Sequence, residues 1–427
     1  MPPPAPSLPA SQTLAAGKPE TMSAVSFLEN RVKEDPDDIV ALNKLSAYYL
    51  QLHRETDDVG YLEHALRMAQ ASLKVLPADQ NLAGLRALAL AEYETHNFVG
   101  AREHAFELTE YEPRRSFGFQ LLGDALLELG NYDEAAKAYE QMETLDAGSI
   151  ATETRLGHLA LLHGDTATAR QRYLKALDQA ETAFSASDET VAWCQWQLGE
   201  VARATNQLPA AQEFYLAALK TFPEYPHAIE SMAQLQAAQG KMDSAIRIFE
   251  EITHKRTDPI AVAILGDLYH MAGRTREASE QYESVGRLVQ QNQLYSKLYN
   301  RHLVLFWADH DLNLDRAYTL AKEEYQIRRD IYAADALAWT ALKTGKLDEA
   351  RNAIRDALRL GTEDAKIFYH AGMIERAAGY KREAADFLNL ALKLNPYFDP
   401  LQARVAKQAL AEVDSQLLSL GNNTIHE

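Results

Sequence analysis

The chain has a single cysteine, Cys194, in 427 residues. That excludes an intramolecular disulfide framework and any cysteine-built zinc cage within one chain. No run approaches the roughly 20 apolar residues of a membrane-spanning helix. A basic excess is missing too, since 43 Lys and Arg stand against 61 Asp and Glu, a formal net charge of −18. A field of that sign repels phosphate backbones and anionic head groups, and no basic patch offsets it, so nucleic acid is excluded as a general partner. Phosphate loops, dinucleotide glycine fingerprints, zinc-protease helix motifs and nucleophile elbows are also lacking. The sequence therefore assigns no catalytic residue, no metal ligand and no cofactor, and a non-enzymatic protein is expected.

What the chain does have is 47% hydrophobic and 24% charged residues, set out in a recurring pattern. The stretch from Ser116 to Gly148 shows it. Leu122, Gly123 and Leu126 fall on one face of a first helix, and Ala135, Tyr139 and Met142 on one face of a second. Between them Gly130, Asn131, Tyr132 and Asp133 supply a turn that tolerates left-handed backbone and an aspartate able to cap the second helix. From Ala89 to Gly123 to Gly157 the step is 34 residues each time, and it is 34 again from Ala338 to Gly372.

This unit resembles the tetratricopeptide repeat, a 34-residue helix-turn-helix with Leu-Gly or Leu-Ala in its first helix and small and aromatic residues in its second. The resemblance extends from Ile39 to Pro396. It implies an all-α fold, a right-handed α-α superhelix of about ten helical hairpins closed by a C-terminal capping helix. The expected organisation is a disordered Pro/Ala-rich leader over 1–21, a single solenoid over 22–420 and a loose tail over 421–427. Within the solenoid a lone helix covers 22–35, repeats cover 39–398 and the cap covers 399–419. The leader's composition also suits the tether left when a signal peptide or lipoprotein anchor is removed, which favours an exported, periplasmic or surface-tethered chain over a cytoplasmic one.

Local readings follow from the same 34-residue step. Arg54 to Gly60 is expected to lengthen the first full repeat's turn, and the helix through Tyr173 to run on past Ala176. The pattern blurs from Gly286 to Asn300, ahead of a divergent repeat around Leu303 to Trp307 and Ala317 to Ala321. In the cap, Leu401, Val405, Leu410, Val413 and Leu417 are expected to cover the last repeat while Gln402, Lys407, Gln408 and Glu412 face water. The segment from Tyr332 to Ile374 is similar to repeats in bacterial proteins.

In this family the concave surface is the usual peptide-binding face, lined by first-helix residues on the side away from the Leu-Gly stripe. Carried across, the resemblance implies a groove of Arg155, His158, Trp193, Trp196, Glu200, Arg203, His227, Glu230 and Trp339. The same positions elsewhere hold Asp124, Gln234, Asp267, His270, His302, Asp335, Tyr369 and Arg376. Trp193 and Trp196 with Glu200 and Arg203 make a candidate partner anchor, the alternative being that the tryptophans fill a gap between repeats. The Lys/Asn/Asn/Lys/Arg carboxylate clamp of some family members is not restored by Gln120, Asp124, Arg155 and Glu230.

Asp309-His310-Asp311-Leu312-Asn313-Leu314-Asp315 imitates the start of a calcium loop. Its turn glycine is replaced by Leu314 and its twelfth position is Leu320, so a capping role for Asp315 is the plainer reading. The histidines lack the spacing of a metal site. The expected function is a scaffold that holds a partner protein or peptide in the concave groove, with a basic segment favoured by the acidic balance. The alternative is a groove for a small molecule or glycan, or an accessory subunit of an enzyme.

Overall fold

Apolar residues spaced three and four apart give each segment one stripe to bury, and helices that pair can bury it. The computed structural model describes residues 17–183, 186–256, 258–291, 297–298 and 300–423. Among these it contains 22 helices and no strand, paired in sequence as hairpins. No helix among them is long and apolar enough to cross a membrane. The contacts group the chain into two compact units, Met1–Thr152 and Glu153–Glu427.

The first unit opens with α1 (Pro19–Glu34), followed by α2 (Ile39–Thr56) and α3 (Gly60–Val75). The lone helix thus starts before residue 22, because its first turn is anchored. Lys18 N and Thr21 Oγ1 donate to the Glu55 carboxylate at 3.0 and 2.9 Å, and Gln51 Nε2 donates to it at 2.9 Å. Glu55 lies in the segment expected to be turn. Its 7% exposure and these bonds extend α2 through Thr56, so the turn shrinks to 57–59 and Asp57 takes the left-handed conformation, φ 58°.

Two regular hairpins complete the unit, α4 (Leu82–Glu94) with α5 (Phe98–Tyr111) and α6 (Ser116–Glu128) with α7 (Tyr132–Leu145). Helix α7 begins one residue before Asp133, which therefore sits in its first turn and not at the cap. In α6, Gly123 is required by close approach: a Cβ there would lie 2.4 Å from Tyr139 Cε1. The Tyr139 hydroxyl then reaches Asp124 Oδ1 at 2.7 Å, and Asp124, expected on the groove, is only 7% exposed.

The second unit takes in most of α8 (Ile150–Leu162), then α9 (Thr166–Thr182), α10 (Asp188–Ala204), α11 (Leu208–Thr221), α12 (Pro226–Ala238), α13 (Met242–Lys255), α14 (Pro259–Met271) and α15 (Thr275–Gln291). It continues with α16 (Asn300–Asp309), α17 (Leu314–Ile327), α18 (Ile331–Lys343), α19 (Leu347–Ala357), α20 (Ala365–Ala377), α21 (Lys381–Leu394) and the cap α22 (Gln402–Asn423). Helix α9 does run past Ala176, and the divergent repeat falls on α16 and α17. Residues 1–16, 184–185, 257, 292–296, 299 and 424–427, which include most of the leader and parts of the blurred join and tail, lie outside the described residues.

The cap differs from its expected form in start, end and face. Asp399 accepts from Leu401 N and Gln402 N at 2.9 and 2.8 Å, so it caps a helix that starts at Gln402. The helix continues to Asn423, through residues expected to be a loose tail. Its buried stripe is Gln402, Ala403, Ala406, Ala409 and Val413, while Val405 is exposed. Gln402 turns inward because its side chain accepts the Tyr369 hydroxyl at 2.7 Å.

Long-range contacts then close the second unit on itself. Thr362 Oγ1 donates to the Leu162 carbonyl, linking the loop before α20 to the end of α8. Asn395 Nδ2 donates to the Arg203 carbonyl at 3.1 Å, linking the end of α21 to the end of α10. Thr362 and Asn395 are 6% and 4% exposed. The first and last hairpins of this unit therefore meet, and the concave face is walled in.

Candidate functional site: the concave interior of the second unit

Residues of the expected anchor on α10 are bonded to one another and to neighbouring helices. Trp193 is half-buried, with its ring edge-on to Tyr173 at 6.3 Å. Trp196 stacks on His227 at 4.8 Å and donates Nε1–H to Ser231 Oγ at 2.9 Å. Ser231 Oγ in turn donates to Glu200 Oε1 at 2.8 Å, which also accepts the Tyr215 hydroxyl at 2.6 Å, while Arg203 pairs with Glu200 at 2.6 Å. Burial alone would raise the Glu200 carboxyl, but the Arg203 charge and these donors outweigh it and hold it below its ordinary value. Glu230 is paired with Arg256. These neighbours favour the packing alternative for both tryptophans. Trp196→Ala should cost about 2 kcal/mol, less than a fully buried Trp because its ring is only half-buried. Thermal unfolding of the isolated protein checks this.

Three of the expected groove acids share one arrangement. Asp124, Glu200 and Asp267 each follow the first-helix glycine and accept the hydroxyl of the second-helix tyrosine 15 residues on, Tyr139, Tyr215 and Tyr282, at 2.7, 2.6 and 2.8 Å. The spacing Gly-acid with a later Tyr is visible in the sequence and could have removed them from the list of free groove charges.

Trp339, also expected on the groove, is 1% exposed. It stacks on His370 at 4.3 Å, packs against Tyr369 at 5.4 Å and donates Nε1–H to Asp309 Oδ1 at 2.9 Å. Asp335 is likewise buried, bonded to His370 Nδ1 at 2.8 Å. Both face a neighbouring first helix across the array and have no open surface. Arg155 is half-buried and His158 exposed on α8.

A cavity of about 510 Å³ lies where the closure brings the two ends together. Arg203, Gln234, Asp267 and His302 reach it from first helices. Lys366, Asp309, His310 and the Asn395–Pro400 segment complete it with Arg404 and Lys407 of α22. The last group has no groove signature in the sequence, because only the closure carries it there. Lys366 Nζ sits 3.0 Å from Asp309 Oδ2 and 3.6 Å from Asp399 Oδ2. His310 Nε2 lies 2.7 Å from Asp267 Oδ1.

The calcium-like segment is thereby taken apart. Asp309 serves Lys366 and Trp339, and Asp311 pairs with Lys343 at 2.7 Å. Asn313, at φ 44°, is the N-cap residue, and Asp315 lies in the first turn of α17 instead of capping it.

The two cavity histidines titrate in opposite directions. His302 is exposed at the cavity, but the protein walls around it, with Arg301, Lys366 and Arg328 nearby, push it down to about 4. His310 is lowered by burial, but the hydrogen bond and charge of Asp267, with the Phe306 carbonyl, outweigh this and raise it. For His302 the unfolded chain takes up a proton that the folded chain refuses, so its contribution to stability falls as pH drops from 6.5 toward 4. For His310 the contribution is present below pH 6.5 and is lost as pH rises through the raised folded value. Imidazole NMR at about pH 6 should show His302 neutral and His310 protonated.

Tetratricopeptide-repeat family models match residues 119–148, 148–224, 196–259 and 336–397. No curated protein matches the chain by sequence. Among solved structures, the chain is similar to PilW, a widely conserved type IV pilus biogenesis factor, at 14% identity over 50% of this chain and 96% of that one, TM-score 0.41. It is similar to PilF of Pseudomonas aeruginosa at 15% identity over 51% and 95%, TM-score 0.39. A thermophilic tetratricopeptide-repeat protein of Thermus thermophilus gives 19% identity over 46% and 98%, TM-score 0.39. With the 34-residue hairpins, their small-residue contacts and the matched family models all in agreement, the chain belongs to the tetratricopeptide-repeat proteins.

Proposed function

We propose that the protein is a non-catalytic interaction scaffold whose partner docks in the concave interior of the second unit. Tetratricopeptide arrays serve generally as protein-interaction scaffolds, and the finer reading rests on one observation. Closure through Thr362 and Asn395 makes the concave face a preformed cavity, so little ordering is left to oppose binding. His158 and His270 are exposed on the first helices of different hairpins, α8 and α14. The net charge of −18 steers a partner with a basic segment toward the chain.

The test is capture from native cell extract on the immobilised full chain. Gln234 and Met271 line the cavity, and Met271 is 39% exposed. The double variant Gln234→Trp/Met271→Trp should lose the partner that the wild type retains. Leu216→Ala, at a 52% exposed position away from that lining, should retain it. Equal capture by wild type and the tryptophan-filled variant would overturn the reading.

A further inference from the structure

The cavity holds acids and bases in unequal states of commitment. Asp267 is taken by Tyr282 and His310, Asp309 and Asp399 share Lys366, and Arg203 is taken by Glu200. Two cations at the cavity remain without a carboxylate. The Arg404 guanidinium has no hydrogen bond or ion pair among the described residues, and the Lys407 ammonium has only the face of the Tyr397 ring, at 5.9 Å. The His302 ring also faces the cavity, with no hydrogen-bond partner among the described residues, and it stays neutral near pH 7. The uncommitted charge along the cavity lining is therefore positive, opposite in sign to the whole chain.

The rest of the wall is apolar, built from Leu235, Ile260, Ile264, Leu305, Phe306 and Phe398. A concave volume of about 510 Å³ with an apolar wall and a few convergent polar groups is the usual form of a small-ligand site. A cavity of this kind favours a ligand that buries an apolar body and presents one negative head to a guanidinium, which pairs well with carboxylates. We propose that this cavity binds a small amphipathic anion, an apolar body with a single carboxylate-type head held by Arg404 and Lys407, with His302 as a further hydrogen-bonding group. The proposal stands independently of partner docking, since it needs the lining and not a protein ligand.

Decanoate is a suitable probe, titrated calorimetrically into the full chain below its micelle concentration, beside decyltrimethylammonium with the same tail and opposite charge. Decanoate should bind at one site and the cation at least tenfold more weakly. Arg404→Glu/Lys407→Glu should weaken decanoate at least tenfold with the melting temperature unchanged, because both side chains are exposed and carry no ion pair. His302→Ala should weaken it less. Failure of decanoate to bind the wild type, equal binding of the two probes, or undiminished binding by the folded double variant would each overturn the proposal.

Discussion

Trp339→Ala should destabilise the second unit by about 4 kcal/mol, the upper range for removing a buried aromatic side chain. At 1% exposure the indole has nowhere to expand into, and it packs in one cluster with Ala308, Tyr369, Leu388 and Ala406. Its loss opens a cavity on the His370 face and also removes a hydrogen-bond donor from Asp309. Trp339→Phe separates these effects. It keeps most of the apolar contact and loses the N–H, so it should cost about 1–2 kcal/mol. Urea unfolding followed by far-UV dichroism measures both. A groove anchor would behave otherwise, losing partner binding at little cost in stability.

Lys366→Ala should cost about 3 kcal/mol at pH 7, because it leaves two carboxylates facing each other without their shared cation. Asp309 is 8% exposed at its side chain and Asp399 18%, so water replaces the ammonium poorly. In the wild type, burial raises the Asp309 carboxyl, but the Lys366 charge, His370 and the bonds from Lys366 and Trp339 outweigh it and hold it below its ordinary value. Burial, opposed by Lys366, leaves Asp399 above its ordinary value. A depressed carboxyl contributes stability above its unfolded value that is lost as pH falls through the folded one. Removing Lys366 reverses this for Asp309. The deficit of the variant should be greatest near neutral pH and shrink toward about pH 4, as these carboxyls take up protons. A pH-independent deficit would show that lost packing of the lysine stem dominates.

How far these features could be read from the sequence depends on whether they are local or long-range. The hairpins were legible because Leu-Gly, the small residues and the 34-residue step act between neighbouring helices. The Gly123 and Tyr139 contact is the physical content of that period. Positions such as Arg203, Gln234, Asp267 and His302 were placed on the cavity side for the same reason. The misplaced residues have partners in other repeats or were judged by type. Trp339 and Asp335 look like groove residues until His370, one repeat on, is packed over them. Glu55 looks like turn until Thr21 reaches it. Gln402 looks solvent-facing until the Tyr369 hydroxyl claims it. The closure joins residues about two hundred positions apart, and no 34-residue period encodes it.

The lone cysteine contributes packing, not reactivity: Cys194 is fully buried, and burial, with Glu189 and Glu181 nearby, pushes its thiol up to about 12. Function then rests on the closed concavity, and closure can be measured with two glycines. Gly164 and Gly273 both have left-handed backbone, φ 73° and 77°. A Cβ at Gly273 would meet nothing within 4 Å, whereas one at Gly164 would lie 2.5 Å from the Gly361 carbonyl oxygen across the closure. Each Gly→Ala change restricts the unfolded chain alike, so that effect cancels in the comparison. Gly273→Ala should cost about 1 kcal/mol from left-handed strain alone. With the closure in place, Gly164→Ala should cost at least about 2 kcal/mol, because the contacted atom is backbone. Equal costs for the two variants in thermal unfolding would contradict the closed concave face.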